Sequence, residues 1–145
     1  MRCICSPHQI ASYKKRLSGP LLDRIDLHVS CPSLPPEKLV SLSEGEKSSE
    51  IRKRVQSARD QQTARYKDKG MTSNAELSAK NIKEFCPLDE ATVSLLRQAA
   101  ATMNISGRGF HRILKVARTI ADLEGANAIE ASHVMEALQY RQKMD

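Results

Sequence analysis

One segment of this 145-residue chain alternates apolar and polar side chains with a period of two and ends in a run of prolines. Residues 25–30 read Ile-Asp-Leu-His-Val-Ser, the pattern of a half-buried β-strand. Three prolines within residues 32–36 end the segment, because proline cannot donate a hydrogen bond to a sheet. A lone strand has no partner here, so we expect it to be the remnant of a larger sheet.

The remaining residues show the three- and four-residue apolar spacing of amphipathic helices. Aromatic residues make up 3% and tryptophan is absent, so the core has to be built from aliphatic side chains and methionine. We predict helices at residues 7–17, 48–69, 78–85, 89–103, 107–124 and 130–142, with a polar linker at residues 37–47. Ser106 is expected to cap the fifth of these helices and Gly125 to end it. The predicted fold class is mainly α, with a helical bundle over residues 48–145.

The chain carries a net charge of +6 and a pI of about 9.3, which favours polyanionic partners such as nucleic acid or nucleotide phosphates. The alternative is that the basic excess has no partner, as in many basic proteins. No apolar stretch approaches the ~20 residues that span a bilayer. The first residues lack the apolar core of a secretory leader, so we expect a cytoplasmic location, reduced cysteines and no membrane partner.

The sequence contains no Gly-x-x-x-x-Gly-Lys-Ser/Thr motif, and no apolar strand that ends in a paired Asp-Glu. It also lacks the His-Glu-x-x-His and Gly-x-Gly-x-x-Gly patterns. The 145 residues alone are therefore not expected to cradle a nucleotide triphosphate with magnesium in the P-loop manner. For the chain by itself we predict neither ATPase activity nor a bound cofactor or metal.

Three longer motifs occur in order along the chain. They are Cys-x-Cys-Ser-Pro-x-Gln-Ile at residues 3–10, Ser-Gly-Pro-Leu-Leu-Asp-Arg-Ile-Asp at residues 18–26, and Arg-x-x-His-Arg-Ile-Leu-Lys-Val-Ala-Arg-Thr-Ile-Ala-Asp-Leu at residues 108–123. Together they resemble the C-terminal part of the magnesium-chelatase-like AAA+ ATPases, in the bacterial branch associated with competence and DNA branch migration. The resemblance covers essentially the whole chain.

This resemblance implies a division into three parts. Residues 1–36 would be the C-terminal remnant of the AAA+ core with its arginine-finger segment, residues 37–47 a linker, and residues 48–145 the helical lid. It also implies a longer parent protein that uses ATP and Mg²⁺, assembles as a ring, expected to be a hexamer, and acts on DNA as a helicase-type motor. The chain alone is expected to be monomeric.

Arg24 lies between Asp23 and Asp26 in the second motif. The resemblance implies that it is an arginine finger, which reaches the γ-phosphate bound on a neighbouring subunit and offsets the charge that develops during hydrolysis. A guanidinium suits this role because it is planar, forked and always charged. The alternative is a local salt bridge from Arg24 to one of the two aspartates.

Arg108 lies in the first turn of the predicted helix that follows Ser106, where free backbone N–H groups favour an anion. At 100° per residue, Arg112 and Lys115 share its face, and no acidic residue occurs between Arg97 and Arg118. The resemblance implies that Arg108 is the sensor-2 arginine, which responds to bound nucleotide. The alternative is a solvated basic face. Relatives usually carry Ala-Arg-Ala where this chain has Gly-Arg-Gly, and the glycines weaken the start of a helix.

Two further groups invite a functional interpretation. The predicted helix at residues 48–69 is strongly basic, and its Arg52, Lys53 and Arg59, with Arg112 and Lys115, are candidate phosphate or DNA contacts. The alternative is a solvated helix face. Cys3 and Cys5 supply only half of a tetrahedral zinc site, so no metal is predicted.

Two other functions stay open at this point. One is a chelatase-type motor subunit that serves metal insertion into a porphyrin, which nothing in the lid distinguishes from a DNA motor. The other is a stand-alone basic helical module that binds nucleic acid or protein. Salt-dependent DNA binding by the chain itself would favour the second of these.

Overall fold

A computed structural model describes residues 4–16, 19–35 and 45–141, and the structural statements below refer to these residues. Seven α-helices occur there: α1 (Pro7–Lys14), α2 (Gly19–Leu22), α3 (Ser48–Arg65), α4 (Ile82–Phe85), α5 (Glu90–Thr102), α6 (Gly107–Glu124) and α7 (Ala131–Gln139). A single 3-10 turn, Asn74–Glu76, lies between α3 and α4. The described residues contain no strand, and the prediction of a mainly α fold is confirmed.

Helix α6 is the centre of the bundle. It packs against α7, α3, α4 and the 3-10 turn, and α7 also packs against α5. Its apolar face buries Ile113, Leu114, Ala117 and Ala121, as the three- and four-residue spacing predicted. Burial of a side chain the size of Ile113 or Leu114 contributes about 1.5–3 kcal/mol relative to an exposed one. The α6 face therefore contributes several of the side chains of the common core, together with residues of the other helices.

Both ends of α6 have the caps that the sequence predicted. The Ser106 hydroxyl accepts a hydrogen bond from the Gly109 backbone N–H at 3.0 Å. At the other end Gly125 has φ +76°, a left-handed conformation that glycine adopts without a steric penalty, and its N–H closes the helix. These local signals fix the length of α6.

Helix α3 is shorter than predicted, because it ends at Arg65 rather than at residue 69. Tyr66 follows it, is fully buried, and donates its hydroxyl hydrogen bond to the Asn74 side chain at 2.6 Å. Only Ala58 and Gln62 of α3 are buried, so its first half extends away from the core. Burial of Tyr66 turns the chain out of the helical path.

The strand predicted at residues 25–30 is wrong. These residues belong to no regular element, no described residue forms a ladder with them, and Leu27 and Val29 are 49% and 66% exposed. The His28 backbone N–H instead donates to the Tyr140 carbonyl at 2.8 Å. A period-two pattern becomes a strand only when a neighbouring strand satisfies its backbone groups.

The remaining differences concern the ends of helices. Helix α4 begins at Ile82 rather than residue 78, because the Asn81 side chain accepts hydrogen bonds from Ser78 and closes a turn there. Helices α1 and α7 end at Lys14 and Gln139, before the predicted ends at residues 17 and 142. Cys3 and most of the predicted linker lie outside the described residues. No helix within the described ranges combines the length and the hydropathy needed to cross a bilayer.

A buried carboxylate joins α3, the 3-10 turn and α6. Asp122 accepts hydrogen bonds from both terminal nitrogens of Arg65 at 2.5 and 3.0 Å, from Asn74 at 2.9 Å and from Arg118 at 3.0 Å. Arg118 is 2% exposed and also donates to the carbonyls of Ala126 and Asn127, which follow α6. Burial alone would raise the pKa of Asp122, but the Arg65 and Asn74 hydrogen bonds and the Arg118 charge lower it overall.

Candidate functional site

The first turns of α6 form one wall of a basic cleft of about 380 Å³. Its lining consists of Leu77, Ala79, Gly107, Arg108, His111, Arg112 and Lys115. The positive end of the α6 dipole lies at this wall, and the side chains add three formal positive charges. The predicted grouping of Arg108, Arg112 and Lys115 is therefore present, and its charge suits an anion.

The three basic side chains of the cleft differ in their contacts. Lys115 donates to the Ala75 carbonyl at 2.8 Å, and Arg112 forms an ion pair with Asp26 of the N-terminal segment. Arg108 is exposed and makes no hydrogen bond or ion pair with any residue that the structure describes. Of the three, Arg108 is the group with its full hydrogen-bonding capacity available in the cleft.

The segment that carries Arg24 lies against the same end of α6. Asp23 accepts a hydrogen bond from the Ser106 hydroxyl at 2.8 Å, and Asp26 pairs with Arg112. Arg24 itself is exposed, and within the described ranges its side chain has no hydrogen-bond or ion-pair partner. The alternative of a local salt bridge from Arg24 to Asp23 or Asp26 is not what the structure contains.

Arg141 provides the second contact between this segment and the bundle. Its guanidinium is 9% exposed, donates to the Ile25 carbonyl at 3.0 Å and approaches an Asp23 carboxylate oxygen at 3.5 Å. Arg141 was not singled out from the sequence, and the two aspartates were considered only as partners of Arg24. The sequence does show two acidic residues on either side of Arg24, but it does not show which cationic side chains they contact.

The basic residues of α3 form a separate group. Arg52, Lys53 and Arg59 are exposed, and none of them lines the α6 cleft. Lys53 pairs with Glu50 at 3.0 Å, and the neighbouring Arg54 pairs with Glu46, so part of the positive charge is neutralised. The structure therefore does not unite the two sets of candidate phosphate contacts.

The described cysteines and acidic residues offer no metal site. No group of three His, Cys, Asp or Glu side chains within the described ranges is arranged to hold a metal ion. Cys5 and Cys31 are exposed, whereas burial raises the pKa of the Cys86 thiol to about 11. Cys86 is thus a protonated core residue at neutral pH.

Comparison with protein families matches the two parts of the chain to one family. Residues 45–141 match the family described as magnesium chelatase, subunit ChlI C-terminal, and residues 1–39 match magnesium chelatase, subunit ChlI. The first match covers the whole bundle, including the cleft.

Curated relatives match over nearly the full chain. Competence protein ComM of Haemophilus influenzae is 42% identical over 137 residues, which is 94% of this chain and 26% of the relative. The uncharacterized protein YifB of Salmonella typhimurium is 41% identical over 139 residues, with the same coverage, and the uncharacterized protein Rv2897c of Mycobacterium tuberculosis is 36% identical over 140. The chain spans about a quarter of the length of these relatives.

Proposed function

Because this chain belongs to the magnesium chelatase ChlI-type family, we propose that it is the lid and arginine-finger portion of a longer AAA+ ATPase. The observation that carries the proposal is the state of Arg24. Both aspartates beside it contact the helical bundle, while the guanidinium between them is exposed and has no partner among the described residues. An arginine held in this way is available to a phosphate outside its own subunit.

The proposed division follows the sequence. Residues 1–36 belong to the ATPase core, residues 37–47 form the linker, and residues 48–145 form the lid. The functional protein would be a ring of subunits, in which Arg24 of one subunit faces the nucleotide of the next. There the guanidinium would offset the negative charge that develops on the transferred phosphoryl group, a role worth about 10³–10⁵ in rate in related systems.

Within its own subunit the chain would respond to nucleotide through Arg108. The α6 cleft fits phosphate, since it combines a helix N-terminus with three cationic side chains. It does not fit the Mg²⁺ that accompanies ATP, because the described residues include no carboxylate cluster for it. The residues that hold the magnesium ion would therefore belong to another part of the ATPase.

ATP hydrolysis by the full-length protein tests both roles. Arg24→Ala should keep ATP binding and lose turnover, because the finger acts on the transition state. Arg108→Ala should weaken the response of the lid to nucleotide, and Arg97→Ala, which removes an exposed arginine from α5, serves as the matched control. Unchanged turnover in Arg24→Ala and Arg108→Ala would refute the assignments.

Mixing subunits tests whether Arg24 works in trans. Rings assembled from Arg24→Ala and Arg108→Ala subunits contain some interfaces at which an intact finger meets an intact sensor. These mixed rings should hydrolyse ATP faster than either variant alone. If mixing restores nothing while each variant alone is defective, Arg24 acts within its own subunit.

DNA is the client that we propose for the parent motor. The net charge of +6 and the exposed Arg52, Lys53 and Arg59 of α3 favour a phosphate backbone, and one relative carries the name competence protein. Removing these three charges together should weaken DNA binding by the full-length protein and flatten its salt dependence. Loss of porphyrin metallation in the same variant, with DNA binding unchanged, would favour the chelatase-type alternative.

A further inference from the structure

Two aspartates connect the finger segment to the lid, and we call the contacts of Asp23 and Asp26 with Ser106, Arg112 and Arg141 the latch. The members of each pair lie 83 to 118 residues apart in sequence, so the latch is a tertiary feature and not a local turn. Since Arg24 lies between the two aspartates, fixing them also fixes the backbone from which its side chain extends.

Ser106 has two functions at this point. Its hydroxyl oxygen accepts from the Gly109 N–H and caps α6, while its hydrogen is donated to Asp23. A hydroxyl can do both at once, because it has one donor and two lone pairs. The start of α6 and the position of the finger segment therefore depend on the same side chain.

Gly109 provides the space for the other half of the latch. A Cβ atom at this position would lie 2.6 Å from a terminal nitrogen of Arg141, the residue that holds the Ile25 carbonyl. A Cβ at Gly107, two residues earlier, would meet nothing within 4 Å. A Cβ at Gly109 would also lie 3.0 Å from the Ile105 side chain, so the second glycine of the Gly-Arg-Gly sequence leaves room for both Arg141 and Ile105, whereas the first has no such contact.

We propose that Asp23 and Asp26 are positioning residues for Arg24, and that they make the placement of the finger depend on the lid of the same subunit. This inference rests on the proposed function of Arg24. Arg112 provides the link to nucleotide, because it lines the α6 cleft together with Arg108 and also pairs with Asp26. An anion that draws Arg112 into the cleft weakens its ion pair with Asp26. Occupancy of the cleft in one subunit therefore changes the position of the Arg24 that this subunit presents to its neighbour.

The first test measures ATP hydrolysis by full-length variants. Asp23→Ala and Asp26→Ala should lower kcat by about 10–100-fold, since a displacement of about 1 Å can cost about 100-fold, and leave KM for ATP nearly unchanged. Asp26→Glu should retain much of the kcat that Asp26→Ala loses, because the glutamate carboxylate can still pair with Arg112. Asp60→Ala removes an exposed aspartate of α3 outside the latch and is the matched control.

Combination with Arg24→Ala separates positioning from a general structural role. If the aspartates act through Arg24, adding Asp23→Ala or Asp26→Ala to Arg24→Ala causes no further loss of kcat. Losses that multiply in the combined variants would overturn the inference. If Arg24→Ala abolishes turnover while both aspartate variants keep wild-type kcat, only the latch fails. If Arg24→Ala itself has no effect, the proposed function fails.

Hydrogen exchange provides a readout that does not depend on activity. Gly109→Ala should displace Arg141 and speed exchange at the amides of Arg24 and Ile25, which close the turn after α2. Gly107→Ala changes the same helix turn without touching the latch, so its exchange at these amides should match the parent protein. Equal protection in both variants would overturn the role of Arg141.

Discussion

The buried Asp122 carboxylate provides the sharpest test of the described packing, through the substitution Asp122→Asn. The change keeps the size of the side chain but removes its charge and turns one oxygen into an NH₂ group. One oxygen accepts from Arg65 and Arg118, and the other accepts from Arg65 and Asn74. Whichever oxygen becomes the NH₂ group, two hydrogen bonds to the side chain are lost. The N–H donors of the neighbouring residues then face the new NH₂ group, which is itself a donor.

The contacts set the magnitude of the effect. A hydrogen bond to a charged group contributes about 1.5–3 kcal/mol, and breaking a buried ion pair by removing one partner costs about 3–5 kcal/mol. Arg118 is almost completely buried, so its charge is left without a counterion. We therefore expect Asp122→Asn to lower the free energy of unfolding by about 3–5 kcal/mol, a large share of the about 5–15 kcal/mol typical of a domain.

Urea unfolding followed by the helical circular-dichroism signal measures this loss. With an m value of about 2 kcal/mol per molar, the midpoint of Asp122→Asn should fall by about 2 M. The control is Glu46→Gln, which removes the charge that pairs with Arg54 at the surface and should leave the midpoint unchanged. A loss below about 1 kcal/mol for Asp122→Asn, the size of one neutral hydrogen bond, would refute the assignment of Asp122 as the anchor.

Two further predictions concern titration and thiol reactivity. Because the pKa of Asp122 is lowered on folding, its stabilisation is complete above the unfolded value of about 3.9 and is lost as the pH falls through the folded value. The difference in urea midpoint between the parent chain and Asp122→Asn should therefore narrow below about pH 4, and a constant difference would contradict this. With its pKa raised to about 11, Cys86 should resist a thiol reagent at pH 8 until the chain unfolds, whereas the exposed Cys31 should react at once. Rapid modification of Cys86 in the folded chain would show that it is not in the core.

Sequence reasoning succeeded where the determining interactions are local. The start and end of α6 depend on Ser106 and Gly125, which act within one helical turn, and the buried face of α6 follows from a spacing that any amphipathic helix shows. The strand predicted at residues 25–30 is wrong because its formation depends on a non-local interaction. A strand is defined by its neighbour, and a period-two pattern carries no information about whether that neighbour is present.

The candidate site was predicted only in part for the same reason. Helical spacing placed Arg108, Arg112 and Lys115 on one face, and the cleft lining agrees with this. The sequence shows no neutralising charge close to that face, because no acidic residue lies between Arg97 and Arg118. Asp26 supplies that charge from 86 residues away, a pairing that only the tertiary structure reveals.

Helix α3 has a mechanical consequence for the bundle. It has 18 residues and so a length of about 27 Å, yet its only buried residues, Ala58 and Gln62, lie in its second half. The anchored end, near Arg65, is tied to the C-terminal part of α6 through Asp122. A helix held at one end behaves as a lever arm: a small tilt of α6 displaces the opposite end of α3, at Ser48, farther than it displaces the core.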